Sequence, residues 1–173
     1  MLRKIMDFFK NSAQGGSDKA VHQPVFNEAE TFGILERAKK SMWEKRAAFF
    51  TPRTPGDLAA EEETIKSARS VMERALLILC KTGMAARDNP SKAQVKKMAE
   101  YNNEAFETAV EVFNRAYEIV EDHKTNDQKP VEMEKTFKDI ANIMSDIDAA
   151  FEDSGDNLIV ALGAENIKAF ENH

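Results

Sequence analysis

The sequence predicts an all-α protein: an antiparallel bundle of four long helices with a short C-terminal helix, preceded by an amphipathic N-terminal helix on a flexible linker. Three observations support that reading. Apolar residues recur at spacings of three and four along most of the chain, which is the helical period. There is almost no strand signal. Charged residues make up 31% and hydrophobic residues 42% of the sequence, a balance suited to a folded globular body rather than to general disorder. A chain of 173 residues has room for one substantial core, so residues 26–173 are assigned to a single bundle domain, 11–25 to the linker and 1–10 to the appended helix.

The elements follow in order. Asn27 with Glu30 three residues later forms an acidic capping box, opening a helix to about Phe50 with Phe32, Leu35, Met42, Trp43 and Phe49 on one side. Pro52 and Pro55 end it, because proline removes a backbone donor and biases the residue before it away from helix. A second helix starts around Pro55, with Asp57 and Glu61 to Glu63 near the positive end of its dipole. Leu58, Ile65, Met72 and Leu79 recur every seven positions along it, a heptad seam that Ala68 and Ala75 complete. Asp88-Asn89-Pro90-Ser91 breaks this helix.

The third helix carries Met98, Asn102, Ala105, Ala109, Val112, Ala116 and Ile119 at alternating spacings of four and three, with Phe106, Phe113 and Val120 widening the stripe. The polar run from Glu121 to Pro130 ends it. Met133, Phe137, Ile140, Met144, Ile147 and Phe151 repeat the spacing on a fourth helix. Ser154-Gly155-Asp156-Asn157 has turn composition, with Asn157 as cap of a last short helix carrying Leu158, Leu162, Ile167 and Phe170. A long helical hairpin that dimerises would give the same periodicity.

The search for chemistry yields no catalytic, cofactor-binding or metal-binding residues, and a non-enzymatic protein is expected. His22 falls in the linker, His123 in the polar connection and His173 at the end, away from the apolar seams. Cys80 is the only cysteine; it follows Leu77-Ile78-Leu79 and reads as a small core residue with an inert thiol. Gly15-Gly16-Ser17-Asp18-Lys19 lacks the phosphate-loop pattern. The acidic residues Asp146, Asp148, Glu152, Asp153 and Asp156 lack EF-hand spacing and read as a solvated face. Asn102 breaks the third seam, either fixing helix register or offering a hydrogen bond to a ligand in the bundle.

Charge is distributed unevenly. Residues 1–50 hold nine Lys/Arg against six Asp/Glu, or +3; residues 131–173 hold three against ten, or −7. Nucleic-acid binding is not expected of so acidic a chain, because Glu36 and Glu44 dilute the basic residues around Trp43. The longest apolar run, Ala75 to Cys80, is far short of a membrane span. With no secretory pattern and a lone cysteine, a cytoplasmic setting is expected.

The docking element expected from sequence is the N-terminal peptide. Leu2, Ile5, Met6 and Phe9 share one helical face, Phe8 flanks them, and Arg3, Lys4 and Lys10 supply positive charge. That pattern suits an anionic membrane surface or a groove on a partner protein; folding back onto the chain's own bundle is the other use of the same face. The expected function is therefore an adaptor or assembly protein whose partners are another protein, a second copy of itself, or weakly a membrane. The alternative is a bundle that binds a small ligand, or a carboxylate-based enzyme.

Overall fold

The computed structural model describes residues 25–52, 54, 56–125 and 131–171, and the side chains among them except those of residues 125 and 164–171. Four helices occur among these residues: α1 (Glu28–Phe49), α2 (Leu58–Ala85), α3 (Lys92–Thr125) and α4 (Val131–Glu171). No strand occurs among the described residues.

Side chains placed by the local sequence satisfy the helix starts. Asn27 Oδ1 accepts the Glu30 N–H at 3.1 Å, and the Asn27 amide donates to Glu30 Oε2 at 3.2 Å. Helix α2 begins at Leu58, slightly later than the prolines imply, because Asp57 is its cap and accepts the Ala60 N–H at 3.2 Å. Before α3 the chain turns through Asn89, whose φ of 53° is left-handed. Ser91 and Gln94 then form a reciprocal box: Ser91 Oγ accepts the Gln94 N–H at 3.3 Å, and Gln94 Oε1 accepts the Ser91 N–H at 2.8 Å.

The helices run alternately up and down. Arg69 and Arg87 of α2 meet Asp139 and Asp153 of α4 in the same order along both chains, so α2 and α4 are parallel. Helix α3 runs against both. Helices α2, α3 and α4 pack mutually, whereas α1 lies along α2 and touches α3 more lightly. The cross-section is a triangle with α1 laid over the α2 side.

This explains why α2 is buried more widely than a heptad seam. Ile65, Met72 and Leu79 are buried as the spacing predicts, but so are Val71, Leu76 and Ile78, because three helices surround it. Every predicted seam residue of α3 from Met98 to Ile119 is buried, as are Met133, Ile140, Met144 and Ile147 of α4. On α1, Phe32, Leu35, Met42 and Phe49 enter the core. Trp43 does not. It is 39% exposed at the α1–α3 seam, where its indole N–H donates to Glu104 Oε1 at 2.6 Å.

The C-terminal end departs from the sequence expectation. Residues 154–157 form no turn, and the separate short helix is replaced by a single α4 of 41 residues. The four-three stripe explains it: from Ile147 and Phe151 it continues in phase through Ser154, Leu158 and Ala161, all three of which are buried. Ser154 is a turn former in isolation, but its hydroxyl here bonds the Phe151 carbonyl at 3.0 Å within the helix. Local composition lost to tertiary burial.

Two glycines test this geometry. A Cβ on Gly155 would meet no atom within 4 Å, whereas one on Gly83 would lie 3.2 Å from Ser154 Cβ and 3.3 Å from Ser154 Cα. Gly155→Ala should therefore stabilise the protein by about 0.5–1 kcal/mol, the helix gain over glycine. Gly83→Ala should lose more than that gain to overpacking of α2 against α4. Urea denaturation measures both, and a loss in Gly155→Ala would reinstate a turn there.

Candidate functional site

The site is built outward from Asn102, which is 2% exposed where α2, α3 and α4 meet. Its Oδ1 accepts the Thr82 hydroxyl of α2 at 2.7 Å and the Ser154 hydroxyl of α4 at 3.0 Å. Each hydroxyl also has a carbonyl in reach, Leu79 for Thr82 at 3.0 Å and Phe151 for Ser154 at 3.0 Å. Both described bonds of Asn102 fall on its oxygen, and no buried polar side-chain atom among the described residues lacks a partner. Asn102 also lines the open space beyond.

That space is a groove of about 930 Å³ between the first turns of α3 and the later turns of α4. Two stacked phenylalanine pairs hold the helices apart below it. Phe106 lies on Phe151 with centroids 4.1 Å apart, and Phe113 on Phe137 at 5.3 Å. Above the first pair, Ala99 and Gly155 are too small to fill the gap. Val95, Leu158 and Leu162 make an apolar floor and walls, and Ile159 stands at the edge 68% exposed. Charge is confined to the rims, with Lys92 and Lys96 on the α3 side and Glu152 and Asp156 on the α4 side. All four are exposed.

Other polar residues are committed to the fold. His123 is not in a connection but inside α3, buried, with Nε2 against the Glu61 carboxylate at the start of α2. The helix continues past the point where polar composition suggested an end, because Ile119, Val120 and His123 are still buried and His123 reaches Glu61 of α2. The Tyr101 hydroxyl donates to Glu36, and burial followed by that carboxylate pushes its pKa well above the usual phenol value. Arg46 makes a two-pronged pair with Glu111 at 2.8 and 2.7 Å, and Lys39 meets Glu104 at 2.8 Å, so two of the α1 cations face acids of α3. Cys80 is half-buried, and burial, with Asp153 and Asp146 nearby, pushes its pKa up to about 11.

Among the described residues no group of His, Cys, Asp and Glu is arranged to hold a metal ion, and no helix is long and apolar enough to cross a membrane. The predicted docking residues Leu2, Arg3, Lys4, Ile5, Met6, Phe8, Phe9 and Lys10 lie outside the described residues, as do His22, His173 and the Gly15-Gly16 segment. Asn102 was visible in the sequence as a seam break. Its two partners were not, although Ser154 sits in phase with the α4 stripe. Comparison with known proteins returned no match among family models, curated proteins or solved structures.

Two measurements probe these residues. Asn102→Ala leaves both hydroxyls with their carbonyl partners, so its cost should be that of two ordinary hydrogen bonds, about 1–3 kcal/mol in urea denaturation. A cost far above that range would mean that the hydroxyls depend on Asn102 alone. Alkylation of Cys80 by iodoacetamide at neutral pH should run about a hundredfold slower than that of a free thiol, because two pH units of pKa remove that much thiolate. Reaction at the free-thiol rate would place Cys80 in an open, unshifted setting.

Proposed function

We propose that the chain is a non-enzymatic adaptor or assembly protein whose body receives an amphipathic helix in the α3–α4 groove. Its N-terminal residues Leu2, Arg3, Lys4, Ile5, Met6, Phe8, Phe9 and Lys10 supply a docking peptide for a protein or membrane surface, in a cytoplasmic setting. The observation that carries this reading is the layout of the groove. Its floor is apolar and its charges stand on opposite rims in solvent, the arrangement that takes the apolar stripe of a helix and pairs its flanks. A helix with basic flanks finds acids on α4.

The small-ligand reading has one observation in its favour. The groove volume of about 930 Å³ falls within the range of ligand sites, about 300–1,000 Å³, and Asn102 offers a polar group at the floor. Against carboxylate catalysis, Glu152 and Asp156 are exposed rather than set inward where burial would tune them.

An 18-residue synthetic helix with a Leu/Phe stripe and Lys flanks tests the proposal by fluorescence anisotropy on the full chain. Blocking the groove with Ala99→Gln and Ile159→Asn should weaken binding at least about tenfold, or 1.4 kcal/mol. Equal affinity for both proteins removes docking from this groove. A fatty acid that binds the native chain tightly while the helix does not would favour the ligand reading.

A further inference from the structure

We infer that the occupant of the α3–α4 groove is the chain's own N-terminal segment, residues 1–10, docked in cis as an amphipathic helix. This rests on the docking reading of the groove and adds to it the identity of the helix and a resting state in which the docking peptide is covered.

The start of α1 lies close to the mouth of the groove. Val25 is 86% exposed, Phe26 packs edge-on against Phe32 at 5.8 Å, and Phe32 stacks with Tyr101 of α3 at 6.2 Å. Gln94 Nε2 donates to Glu28 Oε2 at 3.2 Å. The N-terminal side of α1 is thus fastened beside the first turns of α3. Those same turns present Lys92, Val95, Lys96 and Ala99 to the groove. The chain before Val25 has only to pass around one helix end.

The intervening chain is long enough. Residues 11–24 separate the peptide from Val25. Fourteen residues reach about 46–50 Å when extended, and as a flexible coil have a root-mean-square span of about 19–22 Å. A helix with its side chains is about 10–12 Å across. The linker therefore matches the path around α3, which is the condition for a high effective concentration.

Peptide and groove also match in size and charge. Ten helical residues are about 15 Å long. The α4 side of the groove runs from Phe151 to Leu162, about 16 Å by the same rise. On a helical projection Leu2, Ile5, Met6, Phe8 and Phe9 form one continuous face, Arg3 and Lys10 share a flank, and Asp7 points away from the apolar face. Residues 146–156 contain five acids and no Lys or Arg. Asp148, Glu152 and Asp156 stand four residues apart on exposed positions of α4, a row about 12 Å long. Arg3 and Lys10 are about 10 Å apart on their helix and fit that row, which sets the orientation of the peptide. Lys4 alone falls on the lysine side. A peptide of ten residues is a marginal helix in water, so seating it in a preformed groove on a short tether supplies what its own sequence lacks.

Amide hydrogen exchange on the full chain tests this. Backbone amides of residues 5–10, those with a carbonyl four residues before them in the docked helix, should exchange at least tenfold slower than in the free peptide MLRKIMDFFK, equally at 5 and 100 µM protein. The protection should vanish in Ala99→Gln with Ile159→Asn and in Glu152→Lys with Asp156→Lys. It should return when the latter pair is combined with Arg3→Glu and Lys10→Glu. Absence of protection in the native chain, protection unchanged by the groove variants, or protection that grows with protein concentration would each overturn cis docking, the last in favour of a second copy. Protection gained only with phosphatidylglycerol vesicles would overturn it in favour of a membrane. The synthetic helix separates the two levels: if it still binds the groove while residues 5–10 are unprotected, docking stands and cis occupancy fails. If it does not bind either, both fail.

Discussion

The meeting of Thr82, Asn102 and Ser154 sets the register on which the rest of the molecule depends. Apolar contact alone specifies register weakly, since a slide of one turn again sets apolar residues against apolar residues. A single amide oxygen accepting hydroxyls at 2.7 and 3.0 Å from two different helices does not tolerate such a slide. Moving either neighbour by one turn, about 5.4 Å, removes its hydroxyl from Asn102. Gly83 adds to the constraint, since its missing side chain is what lets α4 approach α2 at Ser154. A buried polar residue fixing register at some cost in stability is the best-attested use of such a group.

The groove follows from that register. With Ser154 held at Asn102, Phe151 falls on Phe106, and Gly155 and Leu158 fall beside Ala99 and Val95. The aromatic pair separates the two helices just where the next residues are too small to close the gap. Shifted by one turn, α4 would set bulkier residues opposite Ala99. The same register puts the acidic face of α4 along the rim. Part of the −7 charge of residues 131–173 is answered by α2 and α3 through Arg69, Arg87 and Lys124, and Glu152 and Asp156 form the groove's acidic edge.

Much of the body was legible because its signals are local and periodic. The α3 seam from Met98 to Ile119 is buried as spaced, and the cap at Asn27 stands where its capping box places it, whereas the Ser91–Gln94 box behind the Asp88–Ser91 break emerges only in the structure. The failures share one cause, a local composition read apart from the helix it belongs to. Ser154-Gly155-Asp156-Asn157 resembles a turn, yet the stripe passes through Ser154 without a change of phase. His123 sits in a polar run, yet it is one turn beyond Ile119 on the buried face and meets Glu61. Trp43 is apolar enough for the core, but its N–H goes to Glu104 at the surface. The triangular packing of α2, α3 and α4, and with it the groove, was not legible. It depends on which helices become neighbours, and that is decided by side-chain volumes acting together rather than by the pattern of any one segment.

A weak docking element and a tether make physical sense together. With an intrinsic Kd of about 100 µM and an effective concentration of about 1 mM, both ordinary for a short peptide on a short linker, about ten molecules are docked for each one open. A competing surface then has to overcome only a factor of about ten, roughly 1.4 kcal/mol, to draw the peptide out. A tighter seat would hold the peptide permanently, and a looser one would leave an apolar face in water. By linkage, the docked helix also strengthens the α3–α4 pairing it bridges. Release of a peptide seated there would remove that support from the apolar wall of Phe151, Leu158 and Leu162, on the same helix whose Ser154 is held by Asn102.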